Sequence, residues 1–493
     1  MSRTTVRRDL RWPPVAVGGL ATAFAATFIT LSLLRHRGFF TARYDLGNMT
    51  QAVWSASRGE LFTVTDPSGA QMSRLGAHVE PILGLFAPLW RIWPSPEVLL
   101  VVQAVAVASA AIPAYLLARR WLGDERLAVA FAAVTMLFPA IEWATVFDFH
   151  PVTLAAPLLM WSIWAAVDGR YVTLAATAML AAFTKEQVGL ALVVLGIWMA
   201  VSLGRRRAGA ILAVMSLAWS AFAVWVIIPH YNGGEASAFV GDRYGDLGSG
   251  AGDVLRTVVL HPWEAIQLGA TADGGKYVLA LILPLLALCL FAPLLAAGAV
   301  PDLLLNLVSS RPEQHHIEYH YSAVIAPFLI AAAIRGLATL RRRGHPRWMA
   351  RLLASPGRVA IGLVAAGVVG GFLLGPLPFW SHVPGGSKVR AEQYRVPPRA
   401  ALWREAVALV PEGAVVSAGN RIAGHLSDRR KILAFPTIAD AEYVVIDLQR
   451  PDVDDDVDPV AHAAAVARLR ARSDFRIVSD DDGVLVFRRV SPA

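Results

Sequence analysis

The chain has 493 residues, of which 56% are hydrophobic and only 17% charged, with a formal net charge of +8. So little charge would not cover the surface of a soluble protein of this length, so composition excludes an ordinary soluble enzyme and points to a membrane protein. The positive excess would suit nucleic acid, but the basic residues gather at the ends of apolar runs rather than on one amphipathic face, which the positive-inside rule explains without a nucleic-acid partner.

Taken in chain order, apolar stretches recur along the first three quarters, many of them about as long as the 20 residues that cross the hydrocarbon layer as a helix. The candidate spans are 13–34, 97–118, 127–146, 152–167, 171–184, 187–203, 209–228, 277–297, 299–310, 322–340 and 358–377. In lipid each backbone donor and acceptor must pair within its own segment, so these runs should be helices. Two of them, 171–184 and 299–310, are short for a full crossing and predict tilted, broken or re-entrant segments. The first run follows Arg3, Arg7, Arg8 and Arg11 in the manner of a secretory signal. It is longer than a signal's apolar core and is the first of many spans, so it reads as a retained helix.

Arginines set the orientation. The amino-terminal arginines, Arg119–Arg120 with Arg126, Arg170, Arg205–Arg206–Arg207, and Arg341–Arg342–Arg343 with Arg347 mark cytoplasmic ends. Threading the spans through these marks, with 299–310 counted as a crossing, gives a multi-pass protein of the cytoplasmic (inner) membrane. Its amino terminus is cytoplasmic and everything after residue 377 lies outside. Four polar segments, 35–96, 147–151, 229–276 and 311–321, then share the outer face, with Lys185–Glu186 at the membrane edge. Of the 12 histidines only His345 falls on the inner side, so any chemistry is expected outside.

Past residue 377 the composition becomes that of a soluble domain. Residues 399–409 and 459–472 have helical periodicity. Short β-rich runs stand at 413–418, 431–435, 442–448, 475–479 and 484–488, with a turn at Asp481–Asp482–Gly483. The expected architecture is a mainly α, polytopic helical bundle of about 10–11 spans over 1–377, a linker at 378–398, and a small extracytoplasmic α/β domain over 399–493. The single cysteine, Cys289, lies in an apolar run and cannot form an intramolecular disulfide.

Several polar groups stand out against this background. Asp45, in Tyr44-Asp45-Leu46-Gly47, opens a short amphipathic helix over 45–58. It reads either as a general base or metal ligand at the water boundary, or as a helix N-cap. His78-x-Glu80 and Asp148-x-His150 each place two proton-transferring or metal-ligating side chains two residues apart, on one side of an extended segment. The run from Arg311 to Tyr321 holds His315, His316, Glu318 and His320, a concentration costly beside lipid unless it lines a wet cavity. Lys185–Glu186 interrupts an apolar stretch, either by snorkelling to the interface or as a point charge for a phosphate. Asp452, Asp454, Asp455, Asp456 and Asp458 read as a solvated acidic loop, without the glycine and distal glutamate of a calcium-binding loop. No Gly-rich nucleotide loop, serine-hydrolase elbow or Cys/His zinc arrangement is present in the sequence.

Taken together, Tyr44-Asp45-Leu46-Gly47 with Gln51-Ala-Val-Trp54, His78-Val-Glu80-Pro81-Ile82, Phe147-Asp148-Phe149-His150-Pro151, Lys185-Glu186 and Glu318-Tyr319-His320-Tyr321 resemble domain-of-unknown-function family 2079 of bacterial membrane proteins. Val416-Ser417-Ala-Gly-Asn420, His425-Leu-Ser427 and Phe435-Pro436 resemble that family's outer domain. The family is grouped with the GT-C glycosyltransferases, which generally use polyprenyl-phosphate-linked sugars outside the cytoplasmic membrane. The resemblance implies a catalytic acid in the first outer loop, and Asp45 occupies that place, with Gln51, Glu186 and Glu318 among the residues near substrate. Many relatives carry two adjacent acids there, whereas Asp45 stands between Tyr44 and Leu46. A divalent metal would therefore need His78, Glu80, Asp148 and His150 as extra ligands.

The expected function is inverting glycosyl transfer from a polyprenyl-phosphate-linked sugar. In it Asp45 deprotonates the acceptor, Arg43, Lys185 and Arg311 hold the phosphate, and His150, His316 or His320 assist. Membrane lipid is the expected partner. The alternatives are a transporter of a lipid-linked envelope substrate and a catalytically silent membrane scaffold.

Overall fold

A computed structural model describes residues 12–248, 250–342, 354–450 and 458–490. The arginines at 3, 7, 8, 11, 343 and 347, His345, and the acids at 452 and 454–456 lie outside the described residues.

Five helices are long and apolar enough to cross a membrane: Trp12–Arg37, Glu97–Leu122, Pro151–Asp168, Arg206–Tyr231 and Pro356–Leu374. The helices Glu125–Met136 and Pro139–Val146 together have the length and apolarity of a sixth, bent by 44° where Pro139 interrupts the ladder. Local signals explain the ends. Glu97–Leu122 and Pro151–Asp168 stop at Gly123 (φ 67°) and Gly169 (φ 77°), the left-handed conformation that glycine adopts without penalty. Asp124 then caps the next helix, its carboxylate accepting from the N–H groups of Arg126 and Leu127.

The shorter runs pack differently. Tyr171–Ala182 and Val188–Ser202 are helices of 12 and 15 residues. Val188–Ser202 crosses Arg206–Phe222 with Gly196 facing Gly209, the small-residue contact that lets backbones approach in lipid. Ile325–Arg342 runs through the centre, with Ile330 to Ile334 fully buried.

One expected span is corrected. The run 277–297 is not a continuous helix: Ala272–Ile282 ends at a Leu283–Leu285 turn, Leu286 and Ala287 are left-handed (φ 53° each), and Leu288–Phe291 forms a second turn before Pro293. Pro284 and Pro293 each remove a helix donor, and apolar composition had masked them. The run at 299–310 is the short helix Val300–Leu307.

The strands of the carboxy-terminal part fall inside the runs expected for them or within two residues of their ends. The described residues hold a hairpin, β1 (Thr63–Thr65) and β2 (Gln71–Ser73), and a five-stranded sheet. The sheet strands are β3 (Val416–Ala418), β4 (Ile432–Ala434), β5 (Tyr443–Asp447), β6 (Phe475–Asp481) and β7 (Val484–Arg489), in the order β4-β3-β5-β7-β6. The first three are parallel and the β5–β7–β6 edge is antiparallel. Alternate residues face two layers. Val416, Tyr443, Val445 and Val486 pack on the helix Ala400–Ala408 and on Phe39 from the helical part, while Val444, Ile446, Leu485 and Phe487 pack on Pro459–Arg470. Phe39, 1% exposed, thus inserts one ring of the membrane half into the core of the α/β half.

Candidate active site

Asp45 lies in the π-helical turn Arg43–Gly47 that runs into Asn48–Ser57, a helix held down by Leu46, Met49, Ala52 and Val53. It is not an N-cap: neither end of the turn carries a side-chain cap hydrogen bond. Instead its Oδ1 lies 3.1 Å from His150 Nε2, and its side chain is 33% exposed. Its Oδ2 has no hydrogen-bond partner among the described residues, which leaves one basic oxygen open to an incoming hydroxyl.

His150 is fixed by its neighbours. Its ring stacks on His320 with centroids 3.6 Å apart. The backbone of 145–150 is clamped by Gln103, whose Nε2 donates to the carbonyls of Thr145 and Asp148 while its Oε1 accepts from His150 N–H. Asp148 points the other way. It accepts from Ala42 N–H at 3.0 Å and stands 3.6 Å from Arg35. Its left-handed backbone (φ 43°) is a strained conformation for a non-glycine residue, of the kind that occurs at functional sites. Burial pushes the Asp148 carboxyl above the usual range; Arg35 opposes this and Asp45 adds to it.

Beyond His320 the polar groups continue into a cavity of about 400 Å³. One end of its lining holds His78, Lys185, Glu186, Arg243 and Tyr321; the rest is mostly apolar, with Leu190, Leu217, Val224 and Leu255 among the walls. Glu186 does not pair with its neighbour Lys185. Its carboxylate takes His78 Nδ1 at 2.9 Å and Val79 N–H at 3.0 Å. Burial, with Lys185 beside it, pushes His78 down to about 4, so the ring is neutral at pH 7 and donates Nδ1–H to the carboxylate. Burial alone would raise Glu186, but His78 and Lys185 outweigh it and hold the carboxyl at about 2. Glu80 is spent on Arg74, 2.5 Å away, and Arg74 in turn reaches Asn48.

Lys185 is different. It is 6% exposed, yet its ammonium has no hydrogen bond or ion pair among the described residues. Burial lowers its pKa, and the Arg243 charge lowers it further. Arg243 also has no ion pair there and lies over the rings of Phe239 and Tyr321. His320 is likewise held well below its ordinary value by burial, then by His150, Lys185 and Arg243, and its buried Nδ1 has no hydrogen-bond partner among the described residues. Two cations therefore stand at one polar end of the pocket, with the His320 ring packed behind Tyr321 in its wall.

The structure brings Asp45, His150, His320, Lys185, His78 and Glu186 into one continuous array, with Asp148 and Glu80 behind it. It does not bring in the others. Arg43 is buried and donates to the carbonyls of Thr65, Asp66 and Ile432. Gln51 spans Thr65, Arg429 and Arg430. Both fasten the helical part to the α/β part. Arg311 pairs with Asp242 at the surface, and His316 and Glu318 are exposed. The expected extra metal ligands point to separate partners, and no group of three His, Cys, Asp or Glu side chains with metal-holding geometry occurs among the described residues. The donor set does not fit a metal.

Sequence reasoning missed Arg35, Gln103, Arg243 and the buried Asp302 and Asn306. A signal existed for three of them: Gln103, Asp302 and Asn306 interrupt apolar runs, where a polar residue needs a partner or a role.

Residues 35–486 match the family model described as "Predicted membrane protein (DUF2079)". No curated protein matches the sequence. Among solved structures, ArnT from Cupriavidus metallidurans bound to undecaprenyl phosphate is similar with a TM-score of 0.52 at 14% identity, over 97% of this chain and 98% of that one. The Archaeoglobus fulgidus oligosaccharyltransferase, tethered to an acceptor peptide with an NVT sequon, is similar with a TM-score of 0.51 at 12% identity, over 97% of this chain and 74% of that one. At such identities the likeness is one of fold, and that fold is the GT-C architecture the motifs had implied.

Proposed function

Because the chain belongs to the DUF2079 family and folds as GT-C glycosyltransferases do, we propose that it transfers a sugar from a polyprenyl-phosphate carrier to an acceptor hydroxyl. The reaction takes place at the outer face of the cytoplasmic membrane. The observation that carries this reading is the open carboxylate oxygen of Asp45, linked through His150, His320 and Tyr321 to a cavity that is cationic at one end and apolar beyond. Tyr321, in the cavity wall, lies close enough to Asp45 to feel its charge. A lipid phosphate has the same two-part character as this cavity. The arginine-marked helix ends support an outer location, and the match to a solved protein holding undecaprenyl phosphate supports a polyprenyl-phosphate carrier.

In this reading Asp45 Oδ2 takes the acceptor's proton as the acceptor oxygen attacks the anomeric carbon. The bond from that carbon to the phosphate oxygen breaks, and its electron pair leaves with the phosphate. Lys185 and Arg243 offset the charge that develops there, in a site with little water to screen them. Attack from the face opposite the leaving phosphate inverts the anomeric centre. His150 holds Asp45 in place, and the His320 stack holds His150.

Membranes carrying the wild-type chain, supplied with a panel of polyprenyl-phosphate sugars, should transfer label to an acceptor. Asp45→Asn keeps the shape and a hydrogen bond to His150 but has no basic oxygen, and it should cut transfer by about 10²- to 10⁴-fold. Undiminished transfer by Asp45→Asn would exclude this role.

A further inference from the structure

A half-buried cation stands at the other end of the helices. Glu97–Leu122 starts where Arg37 pairs with Glu97, near the Asp45 loop, and runs about 39 Å to the opposite end. There Arg335, on Ile325–Arg342, sits two turns before the end of its helix, about 10 Å deeper than Arg342. Its guanidinium has no hydrogen bond or ion pair among the described residues. It lies over the Trp121 ring, 5.7 Å from the centroid, and the charged group that bears on it is another cation, Arg342. A half-buried arginine this far inside a helix end, with no anion on it among the described residues, is costly beside lipid.

Arg335 faces a crevice of about 240 Å³ that Trp121, Trp198, Ser202, Leu294 and Thr339 also line. The crevice exists because the apolar run 277–297 is broken: the turn at Leu288–Phe291 brings the Leu288 carbonyl onto Gly336, next to Arg335. The same break turns Leu290, Phe291 and Leu294 outward, at 59%, 42% and 60% exposure.

We propose that this crevice binds one anionic phospholipid, with its headgroup phosphate on Arg335 between the two tryptophan rings and an acyl chain along Leu290, Phe291 and Leu294. Indole rings favour the headgroup level, and a guanidinium suits phosphate geometry. A zwitterionic lipid would bring an ammonium toward Arg335 and Arg342, and no carboxylate is among the described residues that line the crevice. The site is separate from the carrier cavity and does not depend on the proposed reaction.

Native mass spectrometry of the full chain, released from nanodiscs of equal phosphatidylglycerol and phosphatidylcholine, tests this. The wild type should retain one phosphatidylglycerol. Arg335→Gln should lower that retention at least tenfold, and Arg335→Lys should restore part of it. Ser202→Phe, which fills the crevice without altering charge, should lower retention as well, while Arg206→Gln at the exposed surface should not. The proposal fails if Arg335→Gln retains phosphatidylglycerol like the wild type, or if phosphatidylcholine is retained equally. It also fails if millimolar inorganic phosphate alone displaces the lipid, because the site would then serve a soluble anion.

Discussion

Replacing Lys185 with methionine separates a binding role from a structural one. The side chain is 6% exposed and its ammonium has no hydrogen bond among the described residues, so in the ligand-free protein the charge gains little beyond neighbouring Glu186 and Glu80. Both carboxylates have other partners, His78 with Val79 N–H for the first and Arg74 for the second. Methionine matches the lysine stem in length and needs no solvation, so Lys185→Met should leave the unfolding temperature of the empty protein unchanged or raise it. With a lipid phosphate bound, the same change removes a charge-assisted hydrogen bond worth about 1.5–3 kcal/mol, or roughly 10- to 100-fold in affinity. Titration of a short-chain polyprenyl phosphate into detergent-solubilised protein, alongside scanning fluorimetry without ligand, reads both quantities. Affinity within about threefold of wild type would refute the assignment. So would a loss of affinity matched by a loss of ligand-free stability, since Lys185 would then be structural.

Other consequences follow from the same contacts. Asp45→Asn should cut transfer by about 10²- to 10⁴-fold in a membrane assay while leaving polyprenyl-phosphate binding near wild type, since Asp45 acts on the acceptor. Arg43→Ala strands the carbonyls of Thr65 and Ile432 and should destabilise the junction of the two halves by about 2–4 kcal/mol, seen as faster proteolysis within 376–398; lysine at 43 should not rescue it. His78 is held neutral down to about 4, below its ordinary 6.5. Its stabilising contribution is therefore full above pH 6.5 and is lost as pH falls toward 4, amounting to about 3 kcal/mol. The unfolding temperature should drop over that window, and His78→Asn should flatten the drop.

The long helices were legible because an apolar run in lipid has one way to satisfy its backbone, and the strands because their alternation matches two buried layers. The break at 283–291 was not legible from hydropathy, which counts Pro284 and Pro293 as neutral. At the candidate site, Asp45 was visible as an acid close behind the first apolar run. Its partner His150 stands 105 residues away, and nothing in the spacing of either motif joins them. Charge alone misled at Arg43 and Arg311: a guanidinium near a site reads as a phosphate ligand, but backbone carbonyls and Asp242 take these two. In the polar run, Gln314, Ile317 and His320 turn inward at three-residue intervals, so His316 and Glu318 face out although their composition is the same.

The most direct test of the central claim is a cryo-EM structure of the full chain with a polyprenyl phosphate in nanodiscs. Phosphate density should lie within hydrogen-bond reach of Lys185 and Arg243, with the prenyl chain along the Leu217, Val224 and Leu255 wall and the open oxygen of Asp45 facing the phosphate. Phosphate density elsewhere, with the cavity between Lys185 and Arg243 holding only water, would contradict that claim.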